Sequence, residues 1–198
     1  MPVASSDKFQ EKSLVTGDRA AWEELYRTWF RKLFNYGRKF SPDEGLIEDV
    51  IQDIFLTLWQ QGNMGIRSLG SYLFTSFRNN MLRKINVGRQ QGAELLNDDY
   101  HFELQLAPDQ QMIRDEQREE NSRKIARAMT ELTAHQREFI FLRFYQQLSY
   151  EEISSIMDIS VKAVYKLAAR AIHLLRRELE SEQFMLIVTL LFSRRALR

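Results

Sequence analysis

The chain contains no cysteine. That removes disulfides, thiolate metal sites and a cysteine nucleophile, and it fits a reducing compartment such as the cytoplasm. Its three histidines, His101, His135 and His173, are scattered, with no second histidine at ligand spacing. No metal site and no cofactor are therefore expected. Glu48, Asp49 and Asp53 lack a nearby histidine, and there is no glycine-rich phosphate loop, so an enzyme is not expected either. Helix breakers are scarce: three prolines and eight glycines in 198 residues, every glycine lying before Ala93. No stretch alternates apolar and polar residues well enough to read as a strand. The expected fold class is all-α. The N-terminal stretch Met1 to Lys12 lacks the apolar core of a signal peptide. The apolar run Phe184 to Phe192 is too short to span a bilayer as a helix, which takes about 20 residues.

The formal net charge is only +1, which by itself argues against a nucleic-acid partner. Its distribution argues the other way. Between Ile54 and Ala93 there is no Asp or Glu, while Arg67, Arg78, Arg83, Lys84 and Arg89 all fall inside. A second acid-free stretch runs from Ser160 to Arg177 and holds Lys162, Lys166, Arg170, Arg176 and Arg177. With 27 acidic residues in the chain, two such gaps are not what a generic solvated surface looks like.

The second gap belongs to the most informative stretch, Leu148 to Arg177. Ser149 with Glu152 three residues on forms a capping box, opening a short helix with Ile153, Ile156 and Met157 inward. Asp158 stands at the turn, where a short polar side chain tolerates left-handed backbone. Ser160 caps a second helix with Val161, Val164, Leu167, Ala168, Ala171, Ile172 and Leu175 inward, and Lys162, Tyr165, Lys166 and Arg170 outward. This is the layout either of a helix-turn-helix, whose second helix enters the DNA major groove, or of an ordinary helical hairpin with a solvated charged face, and the rest of the chain decides between them.

Upstream, the spacing predicts a helix over Arg19 to Phe40 with a broad aromatic stripe, read as core, that includes Trp22, Tyr26, Trp29 and Phe30. A second helix over Asp43 to Gln61 has Ile47, Val50, Ile51, Ile54, Phe55 and Leu58 inward. Asp49, Gln52, Asp53 and Trp59 share its exposed side, a reasonable partner-docking surface, with half-buried core as the alternative place for such a Trp. A third helix over Ser68 to Val87 buries Tyr72, Leu73, Ser76, Phe77, Asn80 and Met81. Its cations, interleaved with Tyr72, Phe74, Phe77, Asn79 and Asn80, suit single-stranded or melted nucleic acid. Gly88 to Gln111 reads as an acidic linker, followed by a charged helix over Met112 to Met129 and a helix capped by Thr133. The run after Phe184 reads as a terminal helix packing on its own domain or on another protein.

Two helical domains with basic faces, joined by an acidic linker, resemble the extracytoplasmic-function (ECF) sigma factors of bacterial RNA polymerase. The stretch Ala20 to Tyr26 followed by Leu33-Phe34 resembles the start of the family's region 2. Glu48 to Trp59 (EDVIQDIFLTLW) resembles its polymerase-binding helix, and Ser71 to Asn79 (SYLFTSFRN) its minus-ten reader. Leu132 to Arg143 with the helix-turn-helix resembles region 4, the minus-35 reader. The resemblance implies region 2 over residues 9–88, a linker over 89–111, region 4 over 112–180 and a tail over 181–198. It implies that Asp49, Gln52, Asp53, Phe55 and Trp59 bind core polymerase. Arg67, Arg78, Asn79, Asn80, Arg83 and Lys84, with the loop Gly62 to Arg67, would meet the minus-ten strand. Lys162, Ala163, Tyr165, Lys166 and Arg170 would meet the minus-35 duplex. The implied partners are bacterial core RNA polymerase, promoter DNA and an anti-sigma factor, with the free chain a monomer in the cytoplasm. The family's pattern is departed from at Asp158, Ala163, Tyr165 and Leu167, so no promoter sequence carries over. The rival reading is a stand-alone helix-turn-helix regulator gripping palindromic DNA as a dimer.

Overall fold

A computed structural model describes residues 19–61, 66, 68–88, 100–104, 116–179 and 184. The described residues form seven α-helices and no strand: α1 (Arg19–Gly37), α2 (Glu44–Gln61), α3 (Leu69–Gly88), α4 (Glu116–Thr130), α5 (Ala134–Ile140), α6 (Tyr150–Met157) and α7 (Val161–Glu178). The chain separates into two compact units, the first holding α1 to α3 and the second nearly all of α4 to α7.

In the first unit the three helices pack pairwise on one another. Leu25, Trp29, Leu33 and Tyr36 of α1 are buried with Ile47, Val50, Ile51, Ile54 and Leu58 of α2 and Leu69, Leu73, Phe74, Phe77 and Met81 of α3. The spacing of three and four places these residues on one stripe of each helix, and burying the stripes against each other is the main stabilising term. Aromatic edges fix the packing: Tyr36 meets Phe74 at 5.3 Å and 78° between ring planes, and Trp29 meets Phe74 at 5.9 Å and 77°. Gly37 lies where α1 passes closest to its neighbours. A Cβ there would sit 2.6 Å from Ile47 Cγ2 and 2.8 Å from Phe77 Cζ, so only glycine fits without repacking.

The helix ends follow side-chain chemistry. Asp43 Oδ1 accepts from the Leu46 amide at 3.0 Å, which makes Asp43 the cap and Glu44 the first helical residue. Ser68 Oγ accepts from the Ser71 amide at 3.3 Å and opens α3. Helix α1 stops at Gly37, three residues before the expected end, and the chain tightens into a turn in which the Phe40 amide donates to the Gly37 carbonyl at 2.8 Å.

In the second unit α7 packs on both α4 and α5. The Thr133 cap is there, and Gln136 closes a capping box with it, a reciprocal pair not anticipated from the sequence. After α5 the chain runs on as a π-helical turn, Phe141–Tyr145, in which the Gln146 amide reaches back to the Phe141 carbonyl at 3.1 Å. Arg143 then donates to the Leu148 carbonyl at 2.8 Å, tying this turn to the start of α6.

Within the expected linker one short stretch is described. Between residues 88 and 111 only 100–104 are described beyond the end of α3, and within them Phe102 and Leu104 are buried. Phe102 lies edge-on to Phe141 at 6.0 Å in the second unit, and Tyr100 stacks on Phe40 at 5.8 Å in the first. These apolar residues alternate along the chain outside regular structure, so they carry no helical period to detect. The charged helix begins at Glu116; its expected first residues, 112–115, lie outside the described residues, as does the apolar run beyond Phe184.

Candidate functional site

Three surfaces carry the residues singled out from the sequence. The first is the outer face of α2. Asp49, Gln52 and Asp53 are exposed, and Trp59 is 53% exposed, which settles its position against the half-buried alternative. Phe55 is not on that face: it is 4% exposed, packed edge-on against Tyr26 at 4.9 Å and Trp22 at 6.1 Å. The helical period puts Phe55 on the inward stripe with Ile51 and Leu58, and the structure follows the period. In its place the surface shows Leu56, 58% exposed and not expected there from the sequence. Trp22 of α1, expected in the core, is half-buried and lies edge-on to Trp59 at 5.0 Å.

Trp22, Tyr26, Gln52, Leu56 and Trp59 thereby line an open groove of about 560 Å³ between α1 and α2. A second hollow of about 600 Å³ continues along the same two helices past Phe30, Arg31 and Glu48. Burial and then the Glu48 carboxylate push the Tyr26 phenol above its ordinary value of 10.0, so it stays neutral on this face.

The second surface belongs to α3. Asn79 and Arg83 are exposed, and Asn80 and Lys84 are half-buried beside them. Asn80 donates to the Ser76 carbonyl at 2.8 Å and accepts from Arg83, which orients the pair. Lys84 Nζ lies 3.0 Å from Asp53 Oδ2 on α2, so one ion pair links the first surface to the second. Arg78 departs from expectation. It is 6% exposed, with its guanidinium 5.4 Å from the centre of the Tyr100 ring, and it sits inside the unit instead of on the basic face. Phe74 and Phe77 are also fully buried, so they are core residues and cannot stack on bases. Arg67 and the loop from Gly62 to Gly65 lie outside the described residues.

The third surface is the helix-turn-helix. Ser149 Oγ accepts from the Glu152 amide at 3.1 Å while Glu152 Oε2 accepts from the Ser149 amide at 2.7 Å, completing the box. Asp158 takes the left-handed conformation at φ 53°, ψ 45° and ends α6. Ser154 Oγ then donates to the Ile159 carbonyl at 2.6 Å across the turn, and Ser160 caps α7 by accepting from the Ala163 amide at 3.2 Å. Val164, Ala168, Ala171 and Leu175 are buried, and Val161 and Leu167 are half-buried. Ile172 is a correction: it is 37% exposed, one step off the buried stripe of Ala168, Ala171 and Leu175. Lys162, Tyr165, Lys166 and Arg170 all stand in solvent, with Ala163 half-buried beside them. A ring not singled out from the sequence, Tyr150, meets Tyr165 edge-on at 4.6 Å.

A capped helix, a left-handed turn and a second helix with an acid-free cationic face define a DNA-binding protein of the helix-turn-helix class. Two family models match the chain. "Sigma-70 region 2" covers residues 25–90 and "Sigma-70, region 4" covers residues 122–175, together more than half of it. The chain is 27% identical over 141 residues to the ECF RNA polymerase sigma factor RpoE of Cereibacter sphaeroides, covering 70% of this chain and 75% of that one. It is 26% identical over 163 residues to the ECF sigma factor SigX of Bacillus subtilis, covering 79% and 82%. To the sigma factor NccH of Alcaligenes xylosoxydans it is 24% identical over 195 residues, covering 92% of this chain and 100% of that one. Among solved structures, CnrH in complex with the cytosolic domain of CnrY shares the fold at TM-score 0.55 and 22% identity, covering 86% of this chain and 95% of that one. RpoE of Bartonella quintana, in complex with the anti-sigma factor NepR, does so at TM-score 0.52 and 22% identity, covering 79% and 95%. The chain belongs to the sigma-70 family as an ECF sigma factor, a DNA-binding subunit that directs RNA polymerase in transcription initiation. The family is non-catalytic. No described helix is long and apolar enough to cross a membrane.

Proposed function

We propose that the three surfaces divide the work of initiation. The exposed face of α2, with Asp49, Gln52, Asp53 and Trp59, docks on core RNA polymerase. Asn79, Asn80, Arg83 and Lys84 on α3, with Arg67 before it, meet the melted minus-ten strand, while Arg78 acts from inside as a support of that face. Lys162, Ala163, Tyr165, Lys166 and Arg170 lie in or beside the minus-35 major groove. On this reading residues 9–88 serve as region 2, 89–111 as the linker, 112–180 as region 4 and 181–198 as a tail. The chain acts in the cytoplasm, has no catalytic activity of its own, is monomeric when free and is held in reserve by an anti-sigma factor.

The observation that carries the reading is the charge geometry of α7. Lys162, Lys166 and Arg170 step by four residues, so they form one exposed ridge with no carboxylate on the helix before Glu178. Cations on such a ridge reach groove-wall phosphates, and each phosphate neutralised steepens the salt dependence of binding. Three or so such pairings are too few for tight specific binding by one isolated unit. Polymerase overcomes this by tethering the chain and raising the effective concentration of the weak site. Anisotropy titrations with and without core enzyme test this, alongside sedimentation of the chain alone. The expected result is a monomer that binds promoter duplex weakly and salt-sensitively, then tightly once core enzyme is added. A stable dimer gripping palindromic DNA at nanomolar concentration without polymerase overturns the reading.

A further inference from the structure

Tyr165 is the one large aromatic side chain on the outer face of α7, five residues past the Ser160 cap and 58% exposed. A free tyrosine there would sample several rotamers, and ordering it on DNA would cost binding free energy. The structure restricts that freedom. The Tyr150 ring meets Tyr165 edge-on at 4.6 Å and 72°. Tyr150 is itself held: Phe139, a core residue, meets it at 5.8 Å and 71°, and the Arg143 guanidinium lies 5.3 Å from its ring centre. Arg143 is fixed in turn by its hydrogen bond to the Leu148 carbonyl. Tyr150 follows the Ser149 cap directly, so the capping box fixes its backbone as well. A chain of packed groups thus runs from the core, through Tyr150, to one exposed ring on the helix that enters the groove.

An edge-anchored aromatic ring has no charge to place on a phosphate. Its phenol hydroxyl can hydrogen-bond a phosphate or a base edge, but the edge contact with Tyr150 positions the ring itself. What a ring offers a base pair is apolar surface, and in the major groove the apolar feature is the thymine 5-methyl group. We propose that Tyr165 reads a thymine methyl in the minus-35 element and that Tyr150 is the positioning residue that holds it there. The proposal rests on the minus-35 role given to α7 above. It assigns Tyr150 no contact with DNA of its own.

The experiment uses full-length chain with core polymerase. A duplex library randomised across the minus-35 element is selected for holoenzyme binding, and each selected thymine is then replaced singly by uracil, which removes only the methyl. At one position the wild-type complex is expected to bind the uracil duplex about fourfold more weakly, the effect of burying one methyl group. Tyr165→Leu is expected to bring that thymine-to-uracil ratio down to nearly one or to move it to another position. Tyr150→Leu, which keeps apolar bulk against Phe139, is expected to lower the ratio to below twofold, and Tyr150→Phe to restore it. Lys166→Ala is expected to weaken both duplexes alike and leave the ratio unchanged. A merely structural role for Tyr150 would lower binding to both duplexes equally, and that result overturns the proposal. So does a selected motif insensitive to methyl removal at every position. Failure to select any minus-35 motif overturns the reading of α7 as well, which separates the two failures.

Discussion

At the scale of single residues, one position is constrained by packing and another by its backbone conformation. Gly37 has no room for a methyl group between Ile47 and Phe77. Gly37→Ala is expected to destabilise the protein by about 1–3 kcal/mol, the usual cost of overpacking a tight core. A urea titration followed by circular dichroism checks this; an unchanged midpoint would show that α1 can shift away at no cost. Asp158 is the opposite case, a side chain where glycine is favoured. Its left-handed conformation costs an L-residue roughly 1 kcal/mol relative to glycine. Asp158→Gly is therefore expected to raise the thermal midpoint, and Asp158→Ala, which removes the polar side chain and keeps the strain, to lower it.

Tyr26 gives the protein a pH signature on the groove face. Burial, then Glu48, raise its phenol above the ordinary value. A group whose folded pKa is raised contributes stability that is complete below its unfolded pKa, about 10 for tyrosine. That contribution is lost as the pH climbs through the folded value. The difference in alkaline ultraviolet titration between wild type and Tyr26→Phe should show one late-titrating tyrosine, and Glu48→Gln should bring it earlier. Coincidence of that tyrosine with the others would contradict the burial.

At the scale of elements, α2 shows how one helix serves two sides. Its inward stripe is complete from Ile47 to Leu58, and its outer face is polar except for Leu56 and Trp59. Exposed polar groups contribute little to folding, so Asp49→Ala with Gln52→Ala is expected to change stability by less than about 0.5 kcal/mol. The same double variant is expected to lose binding to core polymerase, measured by pull-down or anisotropy with purified core enzyme. Wild-type binding would remove α2 from the polymerase interface. The bridge from α2 to α3 is weak by the same reasoning. Lys84 and Asp53 form an ion pair at the surface, where such pairs are worth about 0–1 kcal/mol and are screened by salt. On the proposed roles Asp53 and Lys84 meet different ligands, and a pair this weak would cost little to give up.

At the scale of the whole molecule, the near-zero net charge conceals a segregated one. Replacing Lys162, Lys166 and Arg170 together by alanine should lower the slope of log K against log salt by up to about 3, near 0.9 for each phosphate no longer neutralised. Replacing Arg83 and Lys84 should leave duplex binding nearly unchanged and instead weaken opening of the start site, read by permanganate reactivity of thymines. Equal effects of the two replacements on duplex binding would argue against separate roles for the two basic surfaces.

Local rules sufficed wherever a feature is set by neighbours along the chain. The capping box at Ser149, the Ser160 cap, the left-handed turn at Asp158, the inward stripe of α2 and that of α7 apart from Ile172 depend on residues three or four positions apart, and the sequence alone determines them. So does the charge pattern of α7, because a helix spaced by four turns composition directly into a surface. Tertiary structure decided what depends on residues far apart. Whether Arg78 faces solvent was settled by Tyr100, 22 residues on, and whether Trp22 is core was settled by where α2 places Trp59. The period of α3 cannot distinguish Phe74 as core from Phe74 as a base-stacking ring, because its stripe is wide enough to hold both answers until α1 packs against it. Tyr150 and Tyr165 are 15 positions apart on different helices, and the angle set by the turn at Asp158 alone brings their rings together. Spacing within a helix is a property of the chain, whereas contact between helices belongs to the packed molecule.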